Sequence, residues 1–151
     1  MKKRIIRVSI MILLAAFSTT LVAEQEVSSA SSVAALARWY TPAQVEQGRI
    51  VFENHCAACH GLQAEGTTEW RKRTPEGHYP PPPLNGTAHA WHHSIRVLRD
   101  YINGGGKPWG GQMPAFEGQL SGAEVDSAIA FFQHFWSDTI YLQWLDFGNE
   151  D

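Results

Sequence analysis

Apolar residues recur at helical spacing in three stretches of the chain. In the first, Val45, Gly48, Val51 and Phe52 fall on one face after Thr41-Pro42. Thr41 is placed to cap this helix, Pro42 occupies its first position, and Gln44 completes a capping box. Gly48 lets another helix approach closely. In the second stretch, Ile95, Leu98 and Ile102 share a face that Asn103 and Gly104 end. The third is the strongest: Ser121 and Glu124 form another capping box, and Val125, Ile129, Phe132 and Trp136 follow at i, i+4, i+7 and i+11. Its aromatic stripe is expected to be core that crosses the first helix near Gly48. Beyond Ser137, the segment from Ile140 to Phe147, with Tyr141, Leu142 and Trp144, reads as a further turn of helix laid on the domain before an acidic tail. The helices are separated by loop sequence, including the donor-free run Pro80 to Pro83 and the glycines of 104–106 and 110–111. An all-α fold is expected.

The first 23 residues differ from the rest. Lys2, Lys3, Arg4 and Arg7 precede an apolar run from Val8 to Phe17, and small and polar residues follow up to Ala23. This is the layout of a cleaved secretory signal, and the run falls short of the about 20 residues of a membrane span. Retention of the segment as a membrane anchor is the alternative. A Ser- and Ala-rich leader over 24–38 and one domain over 39–151, with an extension after about residue 136, complete the expected organisation.

Loss of the signal removes four basic side chains and no acidic ones, so the formal charge of −3 becomes −3 − 4 = −7. An acidic protein is a poor partner for nucleic acid, whose binding relies on Lys and Arg neutralising phosphates. It is equally ill suited to anionic lipid. Arg71, Lys72 and Arg73 are read as solvated surface.

The chemistry centres on Cys56-Ala57-Ala58-Cys59-His60. Two thiols three apart and an adjacent histidine are the arrangement that attaches a c-type haem, with the thiols adding to its vinyl groups and the imidazole reaching the iron. On a helical turn the three side chains stand at i, i+3 and i+4 and can face one porphyrin. Two rivals share these residues. A redox-active dithiol would normally follow a buried strand, and none precedes Cys56. A zinc site could recruit His89 and His93, but 29 residues separate Cys59 from His89, against about 12 to 15 in a small finger.

Other positions gain meaning beside a haem. A carbonyl of Pro82 or Pro83 is placed to accept the free ring N–H of His60, fixing its tautomer and raising its basicity. Met113 is the only methionine after the signal, and it sits in a glycine-rich loop, where it is poorly explained as core filler. Trp109 is a candidate to pack on the haem edge or donate its indole N–H to a propionate. His89, His92 and His93 are read first as surface or hydrogen-bonding residues.

The order of capped helix, CAACH, the stretch PPLNGTAHAWHH, GGQMPAF and a C-terminal aromatic helix resembles a class I c-type cytochrome of the exported bacterial kind, over roughly Trp39 to Trp136. The resemblance implies several helices around one haem c held by Cys56 and Cys59, with His60 and Met113 as axial ligands. It also implies a periplasmic, non-enzymatic shuttle of single electrons between redox proteins. The alternative is a haem subunit of a larger oxidoreductase with substrate chemistry elsewhere.

Overall fold

Thr41 does cap the first helix, α1 (Pro42–His55): its hydroxyl accepts from the Gln44 N–H at 3.2 Å, and the Gln44 side chain accepts from the Thr41 N–H at 2.9 Å. Residues 36–148 are described by a computed structural model; the expected signal and most of the expected leader lie outside them. The chain continues through one short turn, α2 (Ala57–His60), then α3 (Ile95–Gly104), α4 (Gly122–Gln133) and α5 (Asp138–Asp146), with 3-10 turns at Ala90–His92 and Lys107–Trp109. Ser94, Ser121 and Ser137 cap the last three helices through their hydroxyls, and Glu124 closes the box on Ser121. Each such cap contributes about 1 kcal/mol. Among the described residues the regular structure is helical, with isolated bridges in place of strands. None of these helices is long and apolar enough to cross a membrane.

The central contact is the crossing of α1 and α4. A Cβ on Gly48 would lie 1.8 Å from the carbonyl oxygen of Ser127 and 2.9 Å from Cβ of Phe131, so the two backbones touch at that point. Around it, Val51 and Phe52 meet Val125, Ala128, Ile129 and Phe132, all buried. This is the crossing that the apolar spacing predicts. Trp136 is buried as its place in the stripe requires, yet it stands beyond the end of α4. The chain turns there towards the Ser137 cap, and the Trp136 indole N–H donates to the Leu84 carbonyl at 2.7 Å.

The segment after Trp136 is built into the core. Tyr141 and Trp144 of α5 are fully buried, and the Trp144 indole N–H donates to the His93 carbonyl at 3.0 Å. The chain entering α1 is tied to α5 and to the end of α4. The Tyr141 hydroxyl accepts from the Trp39 N–H at 2.9 Å, and the Trp39 indole donates to Gln133 Oε1 at 2.6 Å. Arg38 pairs with Asp138 at 2.6 Å and lies over the Tyr141 ring. Leu36 and Arg38, counted with the leader in the sequence, therefore pack on the body of the protein. On the other side, two hydrogen bonds of 2.6 and 3.0 Å from Arg99 to Asp126 fasten α3 to α4.

Candidate functional site

The end of α1 and the turn of α2 bring the CAACH residues together. Cys56 breaks the helix with φ −120° and ψ −37°, yet its carbonyl still accepts from the His60 N–H at 2.9 Å. The motif thus follows α1 directly and keeps the helical turn expected for it, with a joint between the two helices at Cys56. The thiol of Cys56 is half-buried, and burial first, then Cys59, pushes it up to about 11. Reactive dithiols depend on a lowered thiol pKa, so the environment of Cys56 opposes that chemistry. Cys59 is exposed.

His60 is buried, and its Nδ1 stands 3.0 Å from the Pro82 carbonyl oxygen. A carbonyl can only accept, so Nδ1 carries the hydrogen and Nε2 keeps its lone pair free. Burial holds the imidazole below its ordinary pKa, partly offset by the Pro82 carbonyl. The ring is thus presented neutral and with one tautomer, the form a metal requires.

Glycine geometry holds this wall in place. The Gly66 N–H donates to the His60 carbonyl at 2.7 Å, and the Thr67 N–H donates to Pro81 at 2.9 Å. Gly66 has φ +57°, and a Cβ there would lie 2.4 Å from the carbonyl carbon of Pro82 and the nitrogen of Pro83. Only glycine allows the chain to lie so close to the peptide that accepts from His60. The same logic positions Met113. The Gly106 N–H donates to the Met113 carbonyl at 3.0 Å, and Gly105, with φ +77°, comes close enough that a Cβ would lie 2.8 Å from that oxygen.

These elements enclose a cavity of about 650 Å³. Cys56, Cys59, His60, Pro82, Pro83, Trp109 and Met113 all line it, with Phe52, Leu98, Ile102, Phe116 and Phe132 supplying apolar wall. Its size lies within the about 300–1,000 Å³ usual for bound cofactors and ligands. Trp109 is 65% exposed and packs its ring 5.5 Å from that of Tyr101, at the rim.

Several lining residues escape the sequence reading. His89 and His93, read as surface or hydrogen-bonding residues, are in the wall: His89 stacks on Trp70 at 4.8 Å, and His93 lies 5.3 Å from His89 and 5.7 Å from Tyr101. The 3-10 turn before α3 and the bond from Trp144 to His93 set this orientation, which a local pattern does not carry. His92 stacks instead on Trp91. Arg71 also lines the cavity, over the ring of Trp70, and Arg73 lies over Tyr79, so these two are more than solvated surface.

The cavity fits a haem by three observations. Two thiols and an imidazole nitrogen with a free lone pair share one end, and a thioether lines the same space. The walls are mostly apolar. In addition, Nδ1 of His89 is buried without a hydrogen-bond partner, which costs about 1–3 kcal/mol and which a cofactor bearing carboxylates could relieve.

A family model described as cytochrome C oxidase, cbb3-type, subunit III matches residues 43–132, more than half of the chain. No curated protein and no solved structure matches it.

Proposed function

The chain belongs to the cbb3-type cytochrome c oxidase subunit III family and is a c-type cytochrome domain, and from that premise we propose that it carries one haem c and passes single electrons between redox proteins. The observation that carries this reading is the pairing of His60, whose Nε2 is left free by the Pro82 carbonyl, with Met113 in the wall of the same cavity. Bound there, a haem would supply a one-electron ferric/ferrous couple.

The residues have distinct tasks. Cys56 and Cys59 would hold the group covalently, one thioether each. His60 and Met113 would hold the iron through an imidazole nitrogen and a thioether sulfur, and this donor pair would favour the ferrous state and a raised potential. With both donors engaged, the chain offers no open position to oxygen or peroxide, which supports carriage over catalysis. Pro82 orients His60 and raises its basicity. Pro83 shapes the wall beside it, and Trp109 shields the rim. The apolar walls exclude water. We place the domain on the exported side of the membrane, as is usual for its family, with residues 1–23 as the export signal.

The family description favours a second reading, in which the domain is the haem subunit of a larger oxidoreductase. Detergent-solubilised membranes of the source cell separate the two. A haem-stained band of about the mass of the single chain supports the carrier, and co-migration with oxidase activity supports the subunit.

Production in a host able to attach haem tests the site. Denaturing electrophoresis should show haem bound covalently to the chain, and a pyridine haemochrome assay should give one haem per chain. Both thiols free after maturation would end the proposal. In the oxidised protein Met113→Ala should abolish the sulfur-to-iron charge-transfer absorption and lower the potential. Persistence of that band would remove Met113 from the iron.

A further inference from the structure

The basic side chains of the described residues are unevenly paired. Residues 36–148 hold eight Lys and Arg against eleven Asp and Glu, so this part of the chain is acidic. Five of the eight are ion-paired: Arg38 with Asp138, Arg49 with Glu46 and Glu53, Lys72 with Glu69, Arg96 with Asp100, and Arg99 with Asp126. Among the described residues the three without a carboxylate partner are Arg71, Arg73 and Lys107, and each lines either the cavity or the depression that adjoins it. Arg71 lines the cavity itself. Arg73 and Lys107 line an adjoining surface depression with His78, and Gly111 and Gln112 border both.

This cluster is built, not loose. Arg71 is held over the Trp70 ring at 4.7 Å, and Arg73 over the Tyr79 ring at 4.2 Å while donating to the Gly77 carbonyl. Lys107 belongs to the 3-10 turn that also carries Trp109. The Tyr79 N–H donates to the Gly110 carbonyl at 2.9 Å, which joins the two loops that bear the cations. Beside them, Trp109 is 65% and Tyr79 39% exposed. Rigid aromatics within a ring of charge are the usual content of a protein contact surface. The acids in the two loops are Glu65, which accepts from the Gln63 N–H, Glu69, engaged with Lys72, Glu76 and Glu117.

We infer that Arg71, Arg73, Lys107 and the exposed ring of Trp109 form the docking face for an acidic redox protein, which electrons enter or leave at the cavity mouth. The inference rests on the haem-carrying reading above and adds the charge and place of the partner. An acidic chain would by its net charge repel such a partner, so the unpaired cations concentrate attraction where transfer is shortest. The alternative occupant, an anionic membrane, is disfavoured by the acidity of the remaining surface.

Reduced holoprotein is mixed with hexacyanoferrate(III), a small anionic probe, in a stopped-flow instrument. One electron leaves the protein, which becomes oxidised, and the probe becomes hexacyanoferrate(II). Oxidation should slow, by about tenfold, as salt rises from 10 to 300 mM. The cationic probe tris(phenanthroline)cobalt(III) should show the opposite slope. Arg73→Glu with Lys107→Glu should reverse the salt dependence for hexacyanoferrate(III) while leaving the haem spectrum and potential unchanged. Arg73→Gln with Lys107→Gln, milder for folding, should flatten it. Rates that rise with salt for hexacyanoferrate(III) in the unmodified protein would overturn the inference, since the net charge would then govern. Co-sedimentation with phosphatidylglycerol vesicles, lost in the double Glu variant, would likewise overturn it in favour of a membrane face. Failure to attach haem would instead sink the reading beneath it.

Discussion

Gly66 has more influence on the site than its lack of a side chain suggests. It lies against the Pro82–Pro83 peptide, and the Pro82 carbonyl is what fixes the tautomer of His60. Gly66→Ala would put a methyl group into that peptide and a Cβ into a left-handed conformation. A destabilisation of about 2–4 kcal/mol is expected, read as a lower urea midpoint with the slope unchanged. Where the variant still folds with haem, its potential should rise, because His60 loses its acceptor and with it basicity. Met113→Ala moves the potential the other way, so the two can be told apart by redox titration. An unchanged potential in Gly66→Ala would mean that Pro82 does not tune His60. The sequence points to the CAACH residues, Pro82 and Met113, because spacing and scarcity single them out. It is silent on Gly66 and gives His89 no place beside a haem, because the roles of both arise from contacts with segments about 16 residues or more away.

The helices were legible for a local reason. Thr41 with Gln44 and Ser121 with Glu124 are capping boxes visible within four residues, and the apolar faces behind them are buried as their spacing predicts. What spacing could not supply was the break at Cys56 and the full burial of Tyr141 and Trp144, since these depend on what α5 meets. The crossing of α1 and α4 gives a paired test. Gly48→Ala gains about 1 kcal/mol of helix propensity but sets a methyl group against the Ser127 carbonyl oxygen, and a net loss of about 1–3 kcal/mol or more is expected. Gly104→Ala, also helical and with nothing within 4 Å of the added carbon, should be neutral or stabilise by up to about 1 kcal/mol. Thermal melts should therefore show a lowered midpoint for Gly48→Ala and an unchanged or raised one for Gly104→Ala. A Gly48→Ala protein as stable as the parent would mean that the helices can part without cost.

The stability of the folded chain should also carry an alkaline limit set in part by Tyr40. Burial, opposed by Arg38 and reinforced by Tyr141, raises its hydroxyl to about 12 from an ordinary value of 10.0. Between those two values the folded state keeps a proton that the unfolded state has lost, so stability falls as pH rises through this window and is fully present below it. Tyr40→Phe should flatten the decline between pH 10 and 12, measured by denaturant midpoint across pH. Parallel profiles for parent and variant would dismiss the effect.

The backbone contact at Gly48 has one more consequence. Phe52, a turn further along α1, and Ala128, beside Ser127, both line the cavity, so its rear wall is anchored by main chain touching main chain. A wall held by side chains can relax by changing rotamers when charge appears within it; one held by two abutting helices has no such freedom. For a protein proposed to gain and lose an electron, that stiffness lowers the reorganisation energy of each transfer. The missing methyl group of one glycine thereby becomes a determinant of speed.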